Sequence, residues 1–226
     1  MIYAVSDLHG CYDAYQALLE KIRLRETDTL YVLGDVVDRG AGGVAILRDM
    51  LRRSNVVLIR GNHDYLAYSL LNRLSHPLSP GEAGRMQALF QRWFQDGGHP
   101  TYAAFVRLEQ AEQARLLAYL NASLLYEETE AGGRRFFLSH TVPEKERMLR
   151  FDTLRWQELI TGEPEYEKEY FPDRYLVTGH TPTMLIEESC AGRIYRKNHH
   201  IAIDCGAVFG NPLGCICLDT FEEFYV

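Results

Sequence analysis

Short apolar runs alternate with helical patterns over residues 1–64. The runs IYAV, TLYVL and NVVLI have the length of strands, and each is followed by a polar residue or glycine. Between them, CYDAYQALLEKI and GGVAILRDMLRRS carry apolar residues at helical spacing. The order strand, helix, strand, helix, strand predicts a parallel or mixed sheet with crossover helices.

The pattern becomes helical over residues 65–130. The stretches YLAYSLLNRL, GRMQALFQRWFQ and TYAAFVRLEQAEQARLLAYLNASLLYEE indicate helices separated by Gly and Pro. Because these helices do not carry enough apolar surface for a separate core, we expect one domain over residues 1–226 with a helical insertion at about 65–130.

Strand patterns return in RRFFLSH, RYLVTGH, HIAIDCGAV and GCICLDT. The acidic stretch TGEPEYEKEYFPD, which lies between two of them, predicts a solvated loop.

Composition narrows the functional classes. Apolar residues make up 46% of 226 residues, which suits a globular core that needs no disulfides. The net charge of −7 argues against a general nucleic-acid or membrane surface. The five cysteines form no disulfide framework, and no leader pattern or bilayer-length apolar run is present, so we expect a reduced, cytoplasmic protein without membrane partners.

Polar side chains end one predicted strand after another. Asp7 and His9 follow the first strand, and Asp35 follows the second. The strands further along the chain end at Asn62, His140 and His180. Since ligands of open α/β sheets bind beyond the carboxyl ends of the strands, we expect these side chains to converge.

Such a set of side chains favours a metal centre. Buried carboxylates and imidazoles without partners are costly, and metal binding is a usual compensation. Oxygen and imidazole ligands suit Mn²⁺, Fe or Zn²⁺. Six side chains are too many for one tetrahedral catalytic ion with an open position, but they suit two ions that share a carboxylate, an arrangement adapted to displacement at phosphorus.

The segments DLHG, GDVVDRG, GNHD and TGHT, with a lone His after a strand, resemble the signature blocks of the calcineurin-like metallophosphoesterases. GDVVDRG in particular resembles the PPP branch, the serine/threonine protein phosphatases. The closing segment IDCGAVFGNPLGCICLDTFEEFYV and the stretch WFQDGGHPTY are similar to bacterial members and to their dinucleoside-tetraphosphatase relatives. The resemblance implies a four-layer α/β/β/α sandwich with mixed sheets.

The resemblance also distributes the ligands of two divalent metal ions, expected to be Mn²⁺, with Fe or Zn²⁺ as alternatives. Asp7 and His9 would hold the first ion, and Asp35 would bridge. The second ion would be held by Asn62, His140 and His180. One residue departs from the PPP pattern, because Asp64 stands where that branch usually has Glu.

The remaining roles also follow from the resemblance. His63 would protonate the leaving group while Asp38 orients it, and Arg39 would bind phosphoryl oxygens. A second phosphate-binding arginine is expected between His140 and His180. Arg155 is our choice, with Arg150 and Arg174 as alternatives.

These roles predict a dimetal phosphomonoesterase that works by direct attack of a hydroxide held between the ions. We expect a serine/threonine protein phosphatase whose partner is a phosphorylated protein or a small phosphoester. The alternative is a symmetrical dinucleoside tetraphosphatase; such relatives often lack the acid at the position of Asp38. A non-catalytic metal-binding scaffold and a nuclease are less favoured, and the sequence leaves the oligomeric state open.

Overall fold

The computed structural model describes residues 1–74, 77 and 79–226, and in this part of the chain the strands form two five-stranded sheets. In chain order the strands are β1 (Ile2–Val5), β2 (Thr29–Leu33), β3 (Val56–Ile59), β4 (Tyr126–Ala131), β5 (Arg134–Ser139), β6 (Tyr175–Thr178), β7 (Tyr195–Lys197), β8 (His200–Ala202), β9 (Gly214–Cys217) and β10 (Glu223–Tyr225). The first sheet has the order β10-β9-β1-β2-β3, and the second has the order β4-β5-β6-β8-β7.

Helices connect the strands and cover the sheets. They are α1 (Tyr12–Ile22), α2 (Gly43–Met50), α3 (Asn62–Leu74), α4 (Pro80–Gln95), α5 (His99–Phe105), α6 (Gln110–Ala122), α7 (Lys145–Met148), α8 (Glu158–Thr161) and α9 (Thr183–Ile186). Within the described residues, no helix combines the length and the apolar character needed to cross a bilayer.

Three apolar clusters define the layers. Ala4 and Leu33 of the first sheet meet Phe136 and Val177 of the second, so the two sheets face each other. The opposite face of the first sheet packs against α1, α2, α3 and α6. The opposite face of the second sheet packs against α7, α8 and nearby loops. The expected α/β/β/α sandwich with mixed sheets is therefore confirmed.

Each sheet contains three neighbouring parallel strands, whose carboxyl ends lie at a common edge. Val5 pairs with Val32 in β1 and β2, and these two strands run parallel. In the second sheet, β5, β6 and β8 are parallel neighbours. The polar segments that follow these strands consequently meet at one end of the sandwich.

The helical prediction extended too far at its carboxyl end. Helix α6 ends at Ala122, and Tyr126–Ala131 form β4, which pairs antiparallel with β5. Side chains of β4 alternate between exposed and more buried positions, which is a strand period that the preceding helical run obscured. Helices α3–α6 link β3 to β4, and we propose that they form an insertion within a single domain.

The acidic stretch at residues 161–173 is only partly a solvated loop. Its glutamates are partly or fully exposed, as expected. However, Tyr170 is buried, and the ring of Tyr166 stacks on buried His200 with 5.0 Å between centroids. The two tyrosines anchor the loop to the outer face of the second sheet.

Candidate functional site

Left-handed backbone marks the loops at the strand ends. Non-glycine residues with positive φ in these loops are Asp7, His9, Asp35, Asp38, Arg39 and His180. Such conformations cost about 1–3 kcal/mol each and persist where the surroundings enforce them, often at functional sites. The strain is concentrated in the segments that the sequence singled out.

The carboxylate of Asp35 lies at the centre of the site. Its Oδ2 atom is 3.6 Å from Nε2 of His9 and 3.6 Å from Nε2 of His140. One group of candidate ligand atoms contains His9, Asp35 and His63, and another contains Asp35, His140 and His180, with all atoms of a group within 4.8 Å of one another. Asp35 belongs to both groups, which is the position required of a bridging ligand.

Backbone carbonyls fix the protonation of two imidazoles. Nδ1 of His140 is 2.7 Å from the carbonyl oxygen of Leu33, and Nδ1 of His9 is 3.0 Å from that of Val37. Because a carbonyl only accepts, each Nδ1 must carry the proton. In the neutral ring, each Nε2 then presents a lone pair to the cluster, as metal ligation requires.

The second group is equally compact. Nε2 of His140 is 3.0 Å from Oδ1 of Asn62 and 3.1 Å from Nδ1 of His180. The backbone N–H of His180 donates to Oδ2 of Asp7 over 2.9 Å. The six side chains proposed as ligands therefore lie in one connected cluster, with Asp7 beside the two compact groups.

The charges of the cluster fit divalent cations. Burial, together with the neighbouring carboxylates, raises the pKa of Asp7 well above its usual range. Burial alone would also raise the pKa of Asp35, but the surrounding imidazoles outweigh it and lower that pKa to about 2. Burial lowers the pKa of His9 and that of His180 to about 4, which favours their neutral, ligating forms. Buried carboxylates beside neutral imidazoles are a donor set that a cation would stabilise.

Asp204 joins this cluster, although the sequence reasoning gave it no role. It is buried, follows β8, and accepts a hydrogen bond from the N–H of Gly206 over 2.9 Å. Burial and the charge of Asp35 raise its pKa to about 7. The signal was present in the sequence, because Asp204 is another polar residue just beyond an apolar strand.

Asp38 and His63 form a buried pair. Nδ1 of His63 is 2.8 Å from Oδ2 of Asp38. Trp93 donates from Nε1 to the same oxygen over 2.8 Å, and Thr101 donates to Oδ1 over 2.7 Å. Burial opposes protonation of His63, but the hydrogen bond with Asp38 and the charges of Asp35 and Asp38 outweigh it and raise the pKa of His63. The imidazole is thus held in place and kept basic.

The guanidinium of Arg39 spans both parts of the site. Its Nη1 is 2.7 Å from Nε2 of His9, and its Nη2 is 3.3 Å from Nε2 of His63. The Arg39 Cζ atom also lies 5.4 Å from the centroid of the Phe209 ring. A group bound between the metal-ligating candidates and His63 would meet this guanidinium.

Asp64, which stands where the PPP pattern usually has Glu, holds the loop after β2 in place. Its carboxylate accepts hydrogen bonds from the backbone N–H groups of Asp35, Val36 and Gly61 at 2.9–3.0 Å. Burial and the charge of Asp35 raise its pKa to about 7. The shorter side chain therefore still joins the loop after β2 to the start of α3.

Arg155 lies outside this cluster. Its side chain is 79% exposed and pairs with Glu158 at 3.5 Å. The neighbouring Trp156 ring packs against Tyr65, two residues after His63, with 4.6 Å between centroids. Arg174 directly precedes β6 and pairs with Glu128 and Asp173, so it lies at the end of that strand away from His180. Of the three candidates, Arg155 stays the prediction.

Comparison of sequences identifies one family over most of the chain. The family described as calcineurin-like phosphoesterase matches residues 1–190. Two curated relatives, from Salmonella paratyphi A (strain ATCC 9150 / SARB42) and Salmonella newport (strain SL254), are named bis(5'-nucleosyl)-tetraphosphatase, symmetrical. Each is 45% identical over 64 residues, which is 27% of this chain and 23% of the relative. The chain thus matches about a quarter of the length of these relatives.

Solved structures share the fold at low sequence identity. A proposed diadenosine tetraphosphatase, 17% identical, aligns with a TM-score of 0.69 over 100% of this chain and 92% of that protein. A protein serine/threonine phosphatase from Saccharomyces cerevisiae, described as similar to human phosphatase PP5, is 15% identical. It aligns with a TM-score of 0.60 over 95% of this chain and 71% of that protein. These likenesses establish the architecture of the sandwich.

Proposed function

The chain belongs to the calcineurin-like phosphoesterases, and from this premise we propose that it is a dimetal phosphomonoesterase acting on phosphoserine and phosphothreonine in proteins. The observation that carries the proposal is the buried Asp38–His63 pair, joined by a 2.8 Å hydrogen bond beside Asp35. A serine or threonine alkoxide is a strongly basic leaving group, so its departure needs an acid. A nucleoside diphosphate leaves readily without one.

Two divalent ions fit the donor set described above. The residues that would hold them are Asp7, His9, Asp35, Asn62, His140 and His180. When bound, such ions stabilise charge on phosphoryl oxygens and activate a water molecule as the nucleophile. Oxygen and imidazole donors suit Mn²⁺, which we propose, as well as Fe and Zn²⁺.

Side chains of the chain itself bind the phosphoryl group and donate the proton to the leaving group. Arg39 contacts the phosphoryl oxygens and stays charged as negative charge builds on them. His63 donates the proton on Nε2 to the leaving oxygen, and Asp38 keeps the ring charged and oriented. Arg155 would supply a second guanidinium on leaving its surface pair with Glu158. General acid catalysis of this kind contributes about 10²–10⁴ in rate.

Symmetrical cleavage of a dinucleoside tetraphosphate is the second candidate. It is favoured by the curated relatives that carry this name and are 45% identical over 64 residues. Because the leaving group of that reaction is a nucleoside diphosphate, His63 would matter little for it.

Turnover of a phosphoserine peptide and of diadenosine tetraphosphate by the Mn²⁺-loaded protein distinguishes the two. We expect the peptide to be the better substrate, and His63→Asn to lower its kcat by about 10²–10⁴. His199→Asn, which alters an exposed histidine in the turn between β7 and β8, is the matched control. Preferred hydrolysis of the dinucleotide, with little effect of His63→Asn, would replace the first candidate with the second.

A further inference from the structure

A second carboxylate approaches His63 from the side opposite Asp38. Oδ2 of Asp96 lies 3.8 Å from Nε2 of His63, and the Asp96 side chain is 60% exposed. Asp38 contacts the other ring nitrogen, Nδ1. Asp96 therefore lies beside Nε2, the ring nitrogen from which the proton would leave. Its exposed carboxylate is open to the solvent from which a substrate would enter.

The turn that carries Asp96 is held against the site by close packing. Asp96 is the C-cap residue of α4, directly after Gln95, and the carbonyl oxygen of Gly97 accepts a hydrogen bond from the N–H of Arg39 over 2.8 Å. Gly97 has φ +95°, and a Cβ there would lie 2.8 Å from Cγ of Arg39. At Gly98, a Cβ would overlap the indole ring of Trp93. Because both glycines are needed for this approach, the turn fixes Asp96 relative to His63.

The leaving group of the reaction would lie close to this carboxylate. An oxygen that accepts a hydrogen bond from Nε2 of His63 lies about 3 Å from it, and hence within about 7 Å of Asp96. The phosphoryl group would be on the side of Arg39 and the metal-ligating candidates, where positive charge gathers. Among the described residues, no Lys or Arg nitrogen lies within 4.0 Å of the Asp96 carboxylate, and His63 is the basic side chain that lies against it, so the exposed side of the carboxylate can act on a charge in the substrate.

We propose that Asp96 is a specificity-determining residue that selects phosphomonoesters whose leaving group is neutral or positively charged and disfavours anionic ones. This inference rests on the proposed phosphatase function and narrows its substrate class to phosphorylated segments flanked by basic residues. A unit charge at this range in a partly exposed site changes a rate by about threefold to sevenfold. A positively charged leaving group is therefore released faster and a negatively charged one more slowly. The ratio of the two rates is the product of both effects.

Three phosphoserine peptides that differ in one neighbouring residue, Lys, Gln or Glu, test the inference. With the Mn²⁺-loaded wild type at low ionic strength, we expect kcat/KM to fall in that order, with a Lys-to-Glu ratio of about tenfold. The Lys-to-Glu ratio of kcat/KM should approach one in Asp96→Asn and fall below one in Asp96→Lys. In the wild type, the same ratio should become smaller at high salt. Glu26→Gln is the control, because Glu26 is exposed in the turn before β2, at the end of that strand away from Asp35.

The outcomes separate this inference from the function on which it rests. If Asp96→Asn slows all three peptides equally and the ratio is unchanged, Asp96 merely holds His63, and the selectivity is refuted while the phosphatase function stands. A ratio that shifts as much in Glu26→Gln also refutes it. If the wild type cleaves diadenosine tetraphosphate and none of the peptides, the proposed function fails and this inference fails with it.

Discussion

Asp38 is restrained by each of its polar neighbours. Its two carboxylate oxygens accept hydrogen bonds from Trp93 and Thr101 and meet Nδ1 of His63. Its own N–H donates to Oγ1 of Thr101 over 2.9 Å. A fully buried carboxylate with so many donors is fixed in orientation, as a residue that positions an acid must be.

We expect Asp38→Asn to lower kcat for a phosphoserine peptide by about 10²-fold, because His63 loses the charge that keeps it protonated. Hydrolysis of para-nitrophenyl phosphate should fall much less, since its leaving group needs little protonation. Over a series of aryl phosphates, the hydrolysis rate of Asp38→Asn should therefore depend more steeply on the basicity of the leaving group than the rate of the wild type does. Asp173→Asn, an exposed aspartate just before β6, serves as the control, and an unchanged slope in Asp38→Asn would contradict the role.

His200 makes stability depend on pH away from the site. Its Nε2 is 2.8 Å from Oγ1 of Thr178, and its Nδ1 has no hydrogen-bond partner among the described residues. Tyr166 and Tyr170 flank the ring. Burial lowers its pKa to about 3. Because the unfolded chain takes up this proton at a pKa of about 6.5, acidification favours unfolding.

Between about pH 7.5 and about pH 5.5, His200 should account for about 1.4 kcal/mol of lost stability. Over this pH range, the free energy of unfolding measured by urea titration should therefore fall by about 1.4 kcal/mol less in His200→Gln than in the wild type. Thr178→Val, which removes the hydrogen bond but keeps the imidazole, should retain the pH dependence of the wild type. An identical pH dependence in His200→Gln and the wild type would assign the acid sensitivity to other groups.

Single side chains were predictable where they follow an apolar strand. The strand ends at Asp7, Asp35 and His180 can be recognised in the sequence, because a polar residue there follows a run of apolar residues. Asp204 obeys the same rule and could have been included. Asp96 could not, because its approach to His63 depends on how α4 ends and on how the following turn meets Arg39.

Secondary-structure elements were predictable where one period dominates. Helix α1 and strand β2 have clear helical and apolar patterns and lie where expected. Strand β4 was mistaken for helix because it follows α6 closely and carries three glutamates, which are uncommon in strands. Strands β7 and β10 have three residues each, too few for periodicity to reveal them.

Two glycines near α4 should respond in opposite ways to alanine. A Cβ at Gly84, inside α4, would meet no atom of the described residues within 4 Å, so Gly84→Ala should raise the free energy of unfolding by up to about 1 kcal/mol. Gly98→Ala forces the indole of Trp93 to move and should lower it by about 1–3 kcal/mol.

Urea titration measures both stabilities, and peptide turnover measures the consequence for the site. Gly98→Ala should also slow phosphopeptide hydrolysis, because Trp93 donates to Asp38. A Gly98→Ala protein as stable and active as Gly84→Ala would show that the turn is not held by this packing.

The whole molecule brings together residues that are far apart in the chain. Facing sheets place the ends of β1 and β2 beside those of β5 and β6, so that Asp35 lies 3.6 Å from His140. The sandwich was predictable from the resemblance and the order of elements. The shared position of Asp35 between two imidazoles was expected from the same blocks, but its distances depend on how the sheets stack.

Crystals of the Mn²⁺-loaded protein, measured for anomalous scattering of manganese, test whether this edge of the sandwich holds a pair of metal ions. We expect two peaks about 3.5–4 Å apart with Asp35 between them. Asp7 and His9 should contact one peak, and the other should be contacted by Asn62, His140 and His180. A single peak, or peaks away from Asp35, would contradict the dimetal centre and the phosphoesterase mechanism built on it.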